Sequence, residues 1–169
     1  MKKFYTGVIF TLIAITIFAT LPVVLNSVKA EDKAYDVWIF CNPETVVNVR
    51  EKPSSSSSLV GRMECGMSVL TDGMTKKDNR GRTWLHLLDP LEVDESWICM
   101  DYISDIEVTV AEFNCVVTAN GRVAARVKPD GKRKRWLSPG QEVTVLAYNG
   151  GWALTNKGYV DMRYLRGIE

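Results

Sequence analysis

The segment SWICMDYI at residues 96 to 103 returns, position for position, as GYVDMRYL at 158 to 165. A chain that spells one such segment twice is built from two copies of a small unit rather than from one large domain. The match extends upstream, where VNVREKP at 47 to 53 aligns with VAARVKP at 123 to 129, pairing Arg50 with Arg126 and Pro53 with Pro129. Between these ends, CGMSVL matches PGQEVT through Gly66 and Gly140, and TWLHL matches GWALT through Trp84 and Trp152. The copies differ in spacing: Gly66 to Trp84 is 18 positions against 12 from Gly140 to Trp152, and Trp84 to Trp97 is 13 against 7 from Trp152 to Tyr159. Repeat one therefore carries two insertions, around KKDNRG and LEVDES, where polar turn-prone residues lengthen surface loops at little entropic cost.

Residues 1 to 30 begin with Lys2 and Lys3, carry an apolar run from Phe4 to Leu25, and end in Val28-Lys29-Ala30. This is the pattern of a secretory signal peptide with a helical core. About 20 apolar residues also suffice to cross a bilayer, so an uncleaved anchor is the competing reading, and a membrane partner follows only in that case. Pro22 and the small-residue ending favour cleavage. The first cysteine, Cys41, stands well past the apolar run, which excludes a lipidated cysteine directly after it. The expected location is extracytoplasmic: secreted, and associated with the cell wall. The expected divisions are a signal peptide over 1–30, a first unit over 31–107 and a second over 108–169.

Export gives meaning to Cys41, Cys65, Cys99 and Cys115, an even set compatible with a disulfide framework. Their pairing is open. Three lie in repeat one, so full pairing needs a bond between the repeats, and one bond within repeat one is the competing arrangement. Zinc is disfavoured by the lack of a close CxxC pair and by His86 being the only histidine. No metal and no cofactor are expected.

A near-neutral total conceals an uneven distribution of charge. Residues 31–107 carry 8 Lys and Arg against 15 Asp and Glu, a net −7, whereas 108–169 carry 10 against 5, a net +5. Opposite fields can steer an anionic polymer to the second repeat, or hold the repeats together. With a net −2 over 31–169 and an export signal, nucleic acid is not an expected partner.

Short apolar or alternating runs (VWIF, SVLT, VTVLAY, CVVTA) are separated by Asp72-Gly73, Asn120-Gly121, Asp130-Gly131 and Asn149-Gly150, each expected to supply positive φ in a tight turn. Each repeat offers about five short strands, too few for an open sandwich, so an all-β fold of two tandem, small, closed or nearly closed barrels is expected.

VNVREKP, MECG, RTWLHL and SWICMDYI, followed by VAARVKP, LSPG, GGWALT and GYVDMRYL, resemble the bacterial SH3-like (SH3b) domain family, whose pattern runs from an LNVR-x-x-P start to a GWV-x-x-x-YL finish. The resemblance covers nearly all of residues 36 to 166. It departs from the pattern where Ala124 replaces Asn48 in the second copy. It implies an extracellular binding module of the kind often appended to peptidoglycan hydrolases, here without a catalytic partner. The implied partner is cell-wall peptidoglycan, another wall polymer, or an extracytoplasmic protein.

Trp84, Trp97 and Tyr102, with Trp152, Tyr159 and Tyr164, recur at strand ends and in the final turn, and are the candidate ligand-binding aromatics. Core filling is the alternative for Trp97 and Tyr159, while Tyr102 and Tyr164 are expected to face outward and Met100 and Met162 to pack. Lys132, Arg133, Lys134 and Arg135 are expected in a basic loop where repeat one has Ser54 to Ser58, suited to phosphate-bearing polymer or to plain solvation. Catalysis would need a cysteine paired with His86, but Leu154 takes the histidine's place in repeat two and apolar residues flank it. Glu92, Asp94 and Glu95 are expected in a solvated insertion loop. The chain is expected not to be an enzyme. The competing functional readings are an assembly subunit of an envelope or transfer machine and, further off, a small cysteine-dependent enzyme.

Overall fold

The computed structural model describes residues 34–88 and 95–168. The expected export segment and the acidic pair Glu92 and Asp94 lie outside the described residues. The fold is all-β: among the described residues the only helical turns are two 3-10 turns, Met100–Tyr102 and Met162–Tyr164. No helix among them is long and apolar enough to cross a membrane.

Repeat one supplies β1 (Tyr35–Ile39), β2 (Val46–Arg50), β3 (Leu59–Glu64), β4 (Ser68–Thr71), β5 (Thr75–Lys77), β6 (Thr83–Leu87), β7 (Ser96–Cys99) and β8 (Ile103–Ser104). Repeat two supplies β9 (Thr109–Val117), β10 (Val123–Arg126), β11 (Arg133–Leu137), β12 (Glu142–Tyr148), β13 (Trp152–Thr155), β14 (Gly158–Asp161) and β15 (Leu165–Gly167). Strict alternation of buried and exposed residues along β4 and β12 puts one face of each on a core.

The first repeat forms a three-stranded sheet, β4-β1-β8, and a five-stranded sheet, β3-β2-β7-β6-β5; the second forms one seven-stranded sheet, β11-β10-β14-β13-β12-β9-β15. The sheets are not closed barrels, which corrects the expected closure. In the seven-stranded sheet, the edge strands are β11, with its exposed charges Arg133, Lys134 and Arg135, and the three-residue β15, and exposed charge on an edge opposes further pairing. Curling replaces closure. One apolar cluster takes in Cys115 and Val117, Val123 and Ala125, Leu137, Val143 and Val145, Ala153 and Val160, and so reaches six strands of the sheet at once. A flat sheet with strands about 4.8 Å apart could not do this. In repeat one, Val37, Ile39, Val49, Met63, Val69, Leu85 and Ile98 join the two sheets around a second core.

The positions paired in the sequence do the same backbone work twice. Arg50 pairs with Trp97 across β2 and β7, and Arg126 pairs with Tyr159 across β10 and β14. Each arginine then ties down the following loop, Arg50 donating to the Ser57 carbonyl and Arg126 to the Gly131 carbonyl, both at 2.8 Å. Gly66 (φ +85°) and Gly140 (φ +76°) each bulge a strand against one partner. Gly66 N–H donates to Ile39 O while Ile39 N–H donates to Met67 O, and Gly140 N–H donates to Val117 O while Val117 N–H donates to Gln141 O. This arrangement needs a left-handed residue, which glycine adopts without a Cβ penalty.

Several local expectations change. KKDNRG does not form a loop throughout, because Lys76 and Lys77 extend β5 and only the turn beyond them is irregular. Gly121 and Gly131 do not adopt positive φ, and at the latter turn Asp130 does so instead (φ 52°). Met162 packs on the second core, as expected, but Met100, at the equivalent place in the first 3-10 turn, is exposed.

The two repeats form one compact unit. Phe40 and Val108 pack with Ala147, Leu154 and Tyr159, and Trp38 and Trp152 flank them. The Phe40 and Tyr159 rings meet edge to face with centroids 5.0 Å apart. Asn149 donates to the Ser104 hydroxyl at 3.0 Å, and Lys128 pairs with Asp101.

Candidate functional site

Each repeat carries a groove between its first strand hairpin and its 3-10 turn. In repeat one a groove of about 430 Å³ is lined by Val46, Asn48, Arg50, Arg82, Trp84, Asp101 and Tyr102 among others. In repeat two a groove of about 570 Å³ is lined by Arg122, Ala124, Arg126, Trp136, Trp152, Arg163 and Tyr164 among others. The linings correspond: Val46 with Arg122, Asn48 with Ala124, Arg50 with Arg126, Trp84 with Trp152, Asp101 with Arg163 and Tyr102 with Tyr164. The same local fold therefore builds two grooves at equivalent places with different size and chemistry.

The floor of the first is fixed by Asp78. Its carboxylate, 1% exposed, accepts from the Trp84 indole N–H at 3.1 Å and from Arg82 Nε at 2.8 Å, and the backbone amides of Arg80 and Arg82 close on its other oxygen. Burial works to raise this carboxyl, but the Arg82 amide, the Trp84 indole and the Arg82 guanidinium outweigh it and hold it at about 2. Trp84 is consequently a wall with little free surface, 3% exposed. Tyr102, 43% exposed, stands at the mouth.

The second groove is more open and more basic. Trp136, 44% exposed, lies under two guanidinium groups, Arg133 at 4.6 Å and Arg122 at 5.3 Å from its ring. Asp161 caps the second 3-10 turn by accepting from Arg163 N–H and also holds the Arg163 guanidinium at 2.6 to 3.1 Å. That guanidinium, against a smaller opposing effect of burial, keeps the Asp161 carboxyl below its ordinary value. Tyr164 is exposed at the rim and Trp152 is half-buried.

Of the candidate aromatics, Trp84 and Tyr102 meet in one groove and Trp152 and Tyr164 in the other. Trp97 and Tyr159 line neither. Trp97 is fully buried, with its indole N–H donating to Glu95 at 2.9 Å, His86 tilted against it and the Lys76 ammonium 4.7 Å from its ring. Tyr159 is turned into the contact between repeats. Lys132, Arg133, Lys134 and Arg135 do not form a loop in the place that Ser54 to Ser58 hold in repeat one. Ala125 pairs with Arg135 where Val49 pairs with Gly61, so the basic run occupies the places of residues 58 to 61, three of its members within β11. Arg133 reaches the groove through Trp136, Lys134 borders a separate cleft beside Tyr159, and Lys132 and Arg135 are exposed.

His86 bonds through Nδ1 to Asp72 at 2.9 Å. Burial tends to raise the Asp72 carboxyl, but the Met74 amide and His86 lower it on balance. All four cysteines are free thiols, Cys65 half-buried and the other three buried. Among the described residues no three His, Cys, Asp or Glu side chains converge as a metal-binding group. Trp136, Arg122, Arg82 and the Asp101/Arg163 pair escaped the sequence reading. The signal for Trp136 was its place one residue beyond the basic run, on the strand that pairs it with the groove residue Ala124.

The sequence matches no family model and no curated protein. Among solved structures, the chain is similar to NlpC1 from Trichomonas vaginalis (15% identity, TM-score 0.32, 86% of this chain and 50% of that one). It is also similar to NlpC2 from Trichomonas vaginalis (14%, TM-score 0.31, 80% and 48%) and to the endolysin LysPBC5 CBD (9%, TM-score 0.30, 78% and 92%). The chain spans about half the length of the two NlpC structures.

Proposed function

We propose that this chain is an exported, non-catalytic binding protein that recognises cell-wall peptidoglycan through its two SH3-like units. The observation that carries this reading is the pair of equivalent grooves, each with an exposed tyrosine, Tyr102 or Tyr164, at its rim and a tryptophan in its wall. A groove open to solvent, with aromatic surface and a few charges, suits an extended polymer strand better than an enclosed small molecule. The charges suit the peptide part of such a polymer, which carries both ammonium and carboxylate groups. In the first groove Asp101 holds Lys128 through Oδ1 and keeps Oδ2 for a ligand ammonium, and Arg122 and Arg133 offer guanidinium to carboxylate in the second. The motif resemblance supports the same reading, and the signal-like segment supports the location.

The non-catalytic reading is supported by the surroundings of His86, which packs against the buried Trp97 ring and to which no cysteine among the described residues hydrogen-bonds.

Co-sedimentation with purified cell walls, before and after removal of teichoic acids and across a salt series, tests the proposal. Retention on stripped walls at high salt is the expected result. Loss on stripping transfers the role to charge recognition by the basic strand, and no sedimentation with either preparation replaces the wall by a protein partner.

A further inference from the structure

Cys41 and Cys65 meet at the closed end of the β1–β4 ladder. The register that pairs Trp38 with Ser68 runs into the Gly66 bulge, where Ile39 exchanges hydrogen bonds with Met67 and Gly66 at 2.8 Å. Cys65 immediately precedes that glycine, and Cys41 lies two residues past Ile39 on the facing strand. The Cys41 thiol donates to the Asn42 carbonyl at 3.6 Å, and Cys65 packs against the apolar cluster to which Cys41 belongs.

The second repeat shows that the backbone does not require either cysteine. Thr118 N–H donates to Tyr164 O as Phe40 N–H donates to Tyr102 O, and the Gly140 bulge closes on Val117 as the Gly66 bulge closes on Ile39. Counting from these bonds, Ala119 stands in place of Cys41 and Pro139 in place of Cys65. The two sulfurs are thus present together in one copy and absent together from the other. The remaining thiols are held apart, Cys99 against Trp84 and Trp97 and Cys115 inside the core of repeat two.

We propose that Cys41 and Cys65 are a dithiol pair that closes to a disulfide in the folded protein, with a small disulfide such as oxidised glutathione as oxidant. Access exists from both sides: Cys65 is half-buried, and Cys41 lines a cleft of about 380 Å³ between the repeats beside Tyr102, Lys128 and Tyr159. Hydrogen bonding from Cys41 outweighs burial and lowers the Cys65 thiol to about 7, so Cys65 is the attacking thiolate, while its neighbour and burial push Cys41 up. Cys65 attacks one sulfur of the oxidant and breaks its S–S bond, and the first thiolate leaves and takes a proton. Cys41 then gives up its proton and attacks Cys65 Sγ, expelling the second thiol. Two S–H bonds are lost, one S–S bond forms, and the oxidant is reduced to two thiols. The bridge would pin the turn against repeat two, because a Cβ on Gly66 would stand only 3.0 Å from Val110 Cγ2. The inference is independent of the ligand proposed above.

Reduced, purified protein is incubated with oxidised glutathione, then acid-quenched, alkylated and mapped by mass spectrometry. The expected product is lighter by two hydrogens, links the peptides of Cys41 and Cys65, leaves Cys99 and Cys115 alkylatable after unfolding, and melts about 5 °C or more higher. An unchanged mass, a lasting glutathione adduct on Cys65, or a bridge to Cys99 or Cys115 overturns the proposal. The double substitution Cys41→Ala with Cys65→Pro installs the residues repeat two carries there. It is expected to melt at one temperature whatever the redox state; a redox-dependent shift in this variant also overturns it.

Discussion

The Tyr159 hydroxyl donates to the Phe40 carbonyl oxygen at 3.0 Å, joining residues of the two repeats inside a buried apolar contact. Burial pushes the phenol above its ordinary value, so it remains a proton donor throughout the physiological range. The aromatic that recurs at the end of repeat two is therefore an interface residue. Tyr159→Phe keeps the edge-to-face ring contact and loses the bond, so a destabilisation of about 1 kcal/mol is expected in urea unfolding, with wall binding retained. Tyr159→Ala, which also leaves a cavity, is expected to cost about 3 to 5 kcal/mol.

The exposed and buried members of the aromatic set separate binding from stability. Tyr102→Ala and Tyr164→Ala are expected to change stability by less than about 1 kcal/mol while each weakens co-sedimentation with stripped walls. Trp97→Ala is expected to cost about 3 to 5 kcal/mol. Equal unfolding in all three variants would remove Tyr102 and Tyr164 from the groove rim.

Asp78 gives the fold an acid-sensitive element. Its carboxyl titrates at about 2 in the folded protein against 3.8 as the unperturbed value. A depressed folded value means that its contribution is complete above pH 3.8 and is lost as pH falls from there through about 2. Melting temperature followed from pH 5 to pH 2 should fall more steeply in the native protein than in Asp78→Asn. The substitution should also loosen Trp84, seen as a shift in tryptophan fluorescence at neutral pH.

Replacing Lys132, Arg133, Lys134 and Arg135 by Ser is expected to remove the salt-sensitive part of any association with unstripped walls and to leave the melting temperature within a few degrees, because all four side chains are exposed. Arg133→Ser alone removes the closer cation from Trp136 and should alter the fluorescence of that ring, which no loop-borne charge would do.

The repeat was legible because Arg50 and Arg126, or Gly66 and Gly140, perform backbone tasks that few residues can perform, and those tasks leave the same letters in both copies. The all-β class followed from alternation and turn dipeptides. Closure of the sheets was not legible, since edge pairing depends on how far two strands separate once the core is filled. Nor was the fate of Trp97 and Tyr159. An aromatic at a strand end faces solvent or not according to what covers it, and the covers here are Lys76 and His86 in one case and Phe40, 119 positions away, in the other. The basic run was misplaced because strand register, and not residue count from the proline, sets which residues oppose each other across a bulge.

The different covers over one ring position make the tandem directional. Repeat one closes off Trp97 with its own lengthened β5–β6 hairpin, whereas repeat two, clipped to the tight turn at Asn149–Gly151, leaves Tyr159 to be closed off by the unit before it. Head-to-tail docking of this kind has no symmetry that halts it, and in principle each unit could seat on the next to build a filament. A unit offered to the front of repeat one by the same contact would meet a ring already sheathed in its own chain. The longer hairpin of repeat one thus occupies, over Trp97, the place that the preceding unit takes over Tyr159.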